Sequence, residues 1–230
     1  MPSEARPSAT EAQDSDPAAP PVSRRRVDPY ARAPRLPEGE VIDARDIVRG
    51  VWLELEVGPG RGTFLFERAA AAPEAGLIAL EIRRKWATLV DDRLKARGLG
   101  DRARVFAEDA KLALPRLGPD GAFARAFLHF PDPWWKKRHQ KRLVMGDEFI
   151  AQIVRLLVPG GELFVQTDVE ERAEQYEQHL RACEALEPCG DLPESARLAE
   201  NPYGARTNRE HRAIDDGLPV YRLRFRKRRG

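Results

Sequence analysis

The sequence predicts an α/β chain built on a mostly parallel, twisted sheet of about seven strands with helices on both faces. Three observations carry that expectation. From Val51 onward, short apolar runs alternate with longer segments of helical period. The first run ends in Gly58-Pro59-Gly60-Arg61-Gly62, a break that turns a strand into a helix. Chemistry-bearing residues then recur just after successive runs, where a parallel sheet binds ligands beyond the carboxyl ends of its strands.

Each element follows from local pattern. Val51 to Val57 (VWLELEV) alternates apolar and other residues as a strand does, and Thr63 to Ala72 reads as the helix after the glycine turn. Leu77 to Ile82 is a short apolar strand, followed by a helix from Arg83 to Arg97. Arg104 to Ala107 is a third strand and Asp109 to Leu117 a short helical turn. Ala124 to Phe130 is a fourth strand that stops at Pro131. Gly146 to Leu157 is helical by the spacing of Phe149, Ile150, Ile153, Val154 and Leu157. Pro159-Gly160-Gly161 turns into a fifth strand, Glu162 to Thr167, and Val169 to Ala185 is another helix. Two further strands are expected near Pro188 to Leu198 and Val220 to Phe225.

Composition bounds the rest. A chain of 230 residues with 42% hydrophobic content has room for one domain with a real core. Residues 1–45 are rich in Pro, Ala, Ser and Arg and lack a hydrophobic period, so they are expected to form a disordered extension that is dispensable for chemistry to about residue 40. The domain proper is then expected over 46–228. No apolar stretch is long enough to cross a bilayer, and no basic start followed by an apolar run marks a secretory signal, so a cytoplasmic protein is expected. Cys183 and Cys189 have neither redox nor zinc spacing, and the four histidines lie far apart, so no metal is expected. The net charge of +2 conceals two basic segments: Lys136 to Arg142 carries five Lys or Arg, and Arg222 to Arg229 carries six. Such concentration points to a polyanionic partner at one face.

The glycine turn has a chemical reading. Gly58 and Gly60 leave no Cβ between backbone and ligand and permit positive φ. Glu81 stands at the end of the second strand, where a carboxylate can accept from both ribose hydroxyls. Asp109, after the third strand, can accept from an adenine amino group. A nicotinamide dinucleotide would want a third glycine three positions after the second, but that position, 63, is Thr. Glu56, before the first glycine, suits the cationic methionine end of S-adenosyl-L-methionine better than a pyrophosphate. A methyl donor is therefore the expected cofactor.

The most specific segment is Phe130-Pro131-Asp132-Pro133-Trp134-Trp135 followed by Lys136 to Arg142. Two prolines fix the backbone around Asp132, the tryptophans offer faces for a base, and the cations suit phosphates. This segment is similar to the signature of bacterial tRNA (guanine-N7-)-methyltransferases, Phe-x-Asp-Pro-Trp followed by Lys/Arg-His and more basic residues. The resemblance runs from about Trp52 to Arg226. It implies a Rossmann-like methyltransferase fold and transfer of a methyl group to N7 of a guanosine in the tRNA variable loop. It also implies cofactor contacts from Glu56, Glu81, Asp109 and Asp132, with Asp132 the catalytic residue. Lys136, Asp168 and the Thr207-Asn208-Arg209-Glu210 element match substrate-contacting positions, and Gly217 to Arg222 resembles the closing strand. The chain departs from the family pattern at Asn208, Arg209 and Trp135, and its proline-rich extension has no counterpart.

Guanine N7 already carries an exposed lone pair, so transfer needs alignment rather than prior proton abstraction. Asp132 either stabilises the developing guaninium or accepts from the guanine N1–H and amino group. Asp168 is also placed to cap the following helix, and Glu210 to pair with Arg206 or Arg212 in solvent. A methyltransferase of another acceptor would keep the glycine turn without needing the basic run, and a non-catalytic RNA-binding protein would need only that run. The expected partner is tRNA, bound by a monomer or homodimer without a further protein subunit.

Overall fold

The computed structural model describes residues 28–131 and 145–229. In chain order its elements are β1 (Ile42–Asp43), β2 (Trp52–Val57), α1 (Thr63–Ala71), β3 (Ala75–Leu80), α2 (Arg84–Ala96), β4 (Ala103–Phe106), α3 (Ala110–Ala113), β5 (Leu117–Gly118) and β6 (Phe123–His129). Then come α4 (Asp147–Leu156), β7 (Leu157–Thr167), α5 (Glu170–Arg181), β8 (Leu186–Pro188), β9 (Arg197–Leu198), α6 (Asn208–Asp215) and β10 (Tyr221–Lys227). The main sheet has the order β4-β3-β2-β6-β7-β10-β8, with β9 beside β10. Pairing from β4 through β7 is parallel, and β10 runs antiparallel to its neighbours.

Alternation along β2 divides the two faces. Leu53, Leu55 and Val57 enter the larger core, with Phe149, Ile150 and Ile153 of α4 and Tyr176 and Leu180 of α5. The opposite face is covered by α1 and α2, whose Leu65, Ala69, Val90 and Leu94 pack on Leu77 and Val105. Glu54 and Glu56 face this second side and are buried all the same. Glu54 is satisfied there: Arg68 donates to both of its oxygens at 2.7 Å, and Arg125 and the Trp52 indole donate at 2.9 and 3.0 Å. A strand that alternates in sequence is thus buried on both faces, because its polar residues have partners.

The structure amends the expected elements in five places. Strand β7 starts at Leu157 rather than Glu162 and runs through Pro159-Gly160-Gly161, expected as a turn. Residues 28–45 do not behave as a disordered extension. Ala33, Leu36, Ile42 and Ala44 are buried, and β1 pairs with β5. Pro34 accepts from the Ala107 amide, while Glu108 accepts from the Leu36 amide and the Arg35 guanidinium. Four apolar residues spaced along a Pro-rich segment have no period, yet they meet a ready-made surface. The short helical turn expected over Asp109 to Leu117 divides into α3, a 3-10 turn over Leu114–Arg116, and β5. The strand expected over Pro188 to Leu198 divides into β8 and β9, which pair with different stretches of β10. Helix α6 carries no expected counterpart. Its start is the Thr-x-x-Glu sequence itself: the Thr207 hydroxyl accepts from the Glu210 amide at 3.0 Å as an N-cap. No described helix is long and apolar enough to cross a membrane.

Candidate active site

The carboxyl ends of β2, β3 and β4 lie side by side, and each delivers its acid to one edge of the sheet. After β2 the chain turns through Gly58 and Gly60, with φ of +76° and +55°. A Cβ at Gly58 would meet nothing within 4 Å, and one at Gly60 only the Arg83 side chain. Gly62 differs, since a Cβ there would lie 2.4 Å from Val90 Cγ1. Gly62 therefore lets α1 approach α2, while Gly58 and Gly60 leave an open backbone cradle. Glu81 ties the cradle to β3 by accepting from the Gly60 amide at 2.9 Å and from the Arg83 amide and Nε at 3.0 Å each. Asp109 caps α3 by accepting from the Lys111 amide at 3.0 Å.

Glu56 is buried at the last turn of β2. Its Oε1 lies 2.9 Å from His129 Nδ1, at the end of β6, whereas Oε2 is buried with no hydrogen-bond partner among the described residues. Sequence reasoning passed over His129, although its position at the end of a parallel strand marked it.

Asp132 and Lys136, with the two tryptophans and the rest of the basic run, lie outside the described residues. The approach to them is described. Phe130 has φ of +45°, uncommon for a residue with a bulky side chain, and its amide donates to the Gln166 carbonyl at 2.7 Å. The neighbouring strand β7 leads to Asp168, which does not cap α5. Its carboxylate instead accepts a two-pronged contact from Arg209, at 2.9 and 3.0 Å, and the guanidinium lies 5.2 Å from the Phe130 ring centroid. The first turn of α6 thereby joins the ends of β6 and β7.

Glu210 is not solvated, and its partner is neither Arg206 nor Arg212. It is fully buried, accepts from Arg222 Nε and Nη2 at 3.1 and 2.9 Å, and also receives Gln166 and Asn201 at 3.1 Å each. Its carboxylate holds α6 against β7 and β10 and so fixes where Thr207, Asn208 and Arg209 stand. The signal available in sequence was Arg222, in a strand where an arginine has to find a carboxylate.

Arg222 also corrects the reading of the C-terminal basic segment. Arg224 donates to the Cys189 carbonyl, Arg226 to Glu162, Lys227 to the Leu157 carbonyl, and Arg228 to Glu187. These cations lie on or just beyond β10 and each is held by a partner on or beside a neighbouring strand, so the segment is not simply a solvated charge run. Tyr203, buried beside them, donates to Glu162, and burial pushes its phenol well above the usual range.

A family model described as a putative methyltransferase matches residues 52–223. A tRNA (guanine-N(7)-)-methyltransferase of Anaeromyxobacter dehalogenans (strain 2CP-C) is 39% identical over 176 residues, which cover 76% of this chain and 85% of that one. The enzyme of the same name from Paramagnetospirillum magneticum (strain ATCC 700264 / AMB-1) is 38% identical over 182 residues, covering 79% and 74%. Among solved structures, the cyclase SpnF has a TM-score of 0.54 at 20% identity, covering 81% of this chain and 78% of its own. TrmN from Thermus thermophilus has a TM-score of 0.53 at 20% identity, covering 78% and 45%. The two structural likenesses show the fold alone.

Proposed function

This chain belongs to the tRNA (guanine-N(7)-)-methyltransferase family, and we propose that it transfers a methyl group from S-adenosyl-L-methionine to N7 of a guanosine in the tRNA variable loop. The observation that carries the donor half of this reading is the set of acids around an open backbone cradle. Gly58 and Gly60 leave room, Glu81 and Asp109 present carboxylates at the next two strand ends, and Glu56 holds a buried oxygen with no described donor. A cationic ammonium fits that oxygen, and ribose hydroxyls fit Glu81, so the residues present suit the methyl donor. When bound, that donor supplies an electrophilic methyl carbon on a positively charged sulfur.

The protein's own part is alignment and electrostatics. Glu56 would hold the amino-acid end of the donor, and Glu81 and Asp109 its nucleoside end. Asp132, which follows the constrained Phe130-Pro131 step in sequence, would either stabilise the positive charge that grows as N7 is alkylated or fix the ring by accepting from the guanine N1–H and amino group. Asp168, Thr207, Asn208 and Arg209 would contact the substrate, and the family resemblance gives Lys136 the same task, suited to a phosphate. No proton has to leave N7, so catalysis needs no general base. One chain supplies every group named, and a second protein subunit has no task.

Asp132→Asn keeps the shape and removes the charge. Single-turnover methyl transfer to tRNA, with both substrates saturating, is expected to fall by about two to three powers of ten. Donor affinity falls far less, and tRNA affinity hardly changes because phosphate contacts dominate it. A wild-type rate in this variant would remove the catalytic role, and methylation of a protein acceptor in preference to tRNA would overturn the reading as a whole.

A further inference from the structure

We infer that His129 is a positioning residue for the methyl donor, acting through Glu56 to fix the carboxylate that receives the donor's amino-acid end. The inference rests on the reading of Glu56 given above and extends it to a residue that the family resemblance does not assign.

The pair is built as a unit. The side chains of Glu56 and His129 are each 2% exposed, and Oε1 lies 2.9 Å from Nδ1. A carboxylate only accepts, so Nδ1 carries the proton and donates. The imidazole is locked from several sides: its centroid lies 4.3 Å from Phe64, 5.7 Å from Phe127 and 5.9 Å from Phe164. Those rings come from α1, β6 and β7, so His129 has no room to turn away. Holding Oε1 fixes the plane of the carboxylate and hence the direction of Oε2, the oxygen left without a donor. His129 Nε2 is likewise without a partner among the described residues.

A purely structural pair would be expected to satisfy both groups, since a buried carboxylate oxygen without a donor is costly. Nearby Glu54 shows what that looks like, with Arg68, Arg125 and Trp52 all donating to it. Glu56 sits two residues further toward the ligand edge on the same face of β2, and its one described side-chain partner is the histidine. The arrangement keeps one oxygen oriented and unspent. An ammonium group on the bound donor completes it, in the way outer groups orient the ligands of a binding site.

The test separates donor recognition from folding. Two ligands are compared by calorimetry: S-adenosyl-L-methionine, and 5′-methylthioadenosine, which has the adenosine and sulfur but no amino-acid arm. His129→Phe fits the aromatic surroundings and deletes the donor; His129→Asn restores a nitrogen close to where Nδ1 lies. In His129→Phe the affinity for S-adenosyl-L-methionine is expected to fall roughly ten- to a hundredfold, the scale of losing a hydrogen bond to a buried charged group. Methylthioadenosine affinity stays within about twofold, His129→Asn recovers most of the loss, and KM for the donor rises while kcat at saturating donor holds. Equal losses for both ligands, or an unchanged affinity in His129→Phe, would overturn the inference. Should His129→Phe fail to fold by circular dichroism, the same ligand comparison on His129→Asn and His129→Leu decides it. Glu56→Gln is measured alongside: no loss there refutes the reading of Glu56 itself, whereas loss there without loss in His129→Phe refutes only the role of His129.

Discussion

Glu210 illustrates how a residue can matter to a site without facing it. Its carboxylate takes donors from Arg222, Gln166 and Asn201, and its amide is capped by Thr207. Arg222 is itself 8% exposed, so removing the carboxylate strands a buried guanidinium. Glu210→Ala is expected to cost about 3–5 kcal/mol of stability, the usual scale for breaking one side of a buried ion pair. Urea unfolding measures this, and a loss below about 1 kcal/mol would mean that water or a rearranged Arg222 compensates. Arg209, one residue earlier, is half-exposed and pairs with Asp168 at the surface, so its contribution to folding is small.

The segment before β2 is an element in its own right. Residues 33–37 cross the end of β4, pinned by Ala107 to Pro34 and by Glu108 to Leu36 and Arg35, and Arg116 reaches the carbonyls of Pro37 and Gly39. Further back, Asp28 pairs with Arg84 at the start of α2. A chain beginning at Asp28 keeps every contact named here and serves as the reference. One beginning at Glu38 loses the burial of Leu36, worth about 1.5–3 kcal/mol, and leaves the Glu108 carboxylate short of donors, another 1–3 kcal/mol or so. At roughly 2–4 °C per kcal/mol for a domain of this size, Tm should fall by roughly 5–25 °C. Identical melting of the two truncations would show that the segment is not part of the domain.

Across the whole molecule, buried carboxylates fasten the layers together. Burial alone would push Glu54 up, but the hydrogen bonds and charge of Arg68, with Trp52 and Arg125, hold it below the usual carboxylate range. The same contest is won at Asp91 by Arg104, Lys95 and the Val105 amide, and at the half-buried Glu177 by Arg181 and Arg197. A carboxylate with a lowered folded pKa gives its full stabilisation above its unfolded pKa, near 4, and loses it as pH falls through the folded value. Unfolding midpoints in urea are therefore expected to hold from pH 7 to about 5 and to drop steeply below about 4. Glu54→Gln should be less stable at pH 7 and show a shallower acid slope; an acid slope matching the wild type would assign the loss to other groups.

Local pattern determined most of the sheet and the positions of its chemistry. Apart from β5 and the early start of β7, strands and helices from β2 to α5 fall within a few residues of their expected bounds, because period and glycine breaks are properties of neighbouring residues. Glu56, Glu81 and Asp109 stand at or just beyond the carboxyl ends of parallel strands, as the local pattern placed them. Tertiary structure decided what depends on distant partners. Leu36 and Ile42 look unremarkable among prolines until β4 and β5 exist to receive them. The arginines of β10 read as a surface charge run until their carboxylate and carbonyl partners on other strands come into range. Gly62 reads like its two companions, yet only the approach of Val90 from α2 separates a glycine needed for packing from two that face open space. His129 and Glu56 are 73 residues apart and join only because β2 and β6 are neighbours in the sheet. Sequence sets which groups are available and where the chain turns; burial and pairing across the fold set which of them are spent on holding the structure and which are left for a ligand.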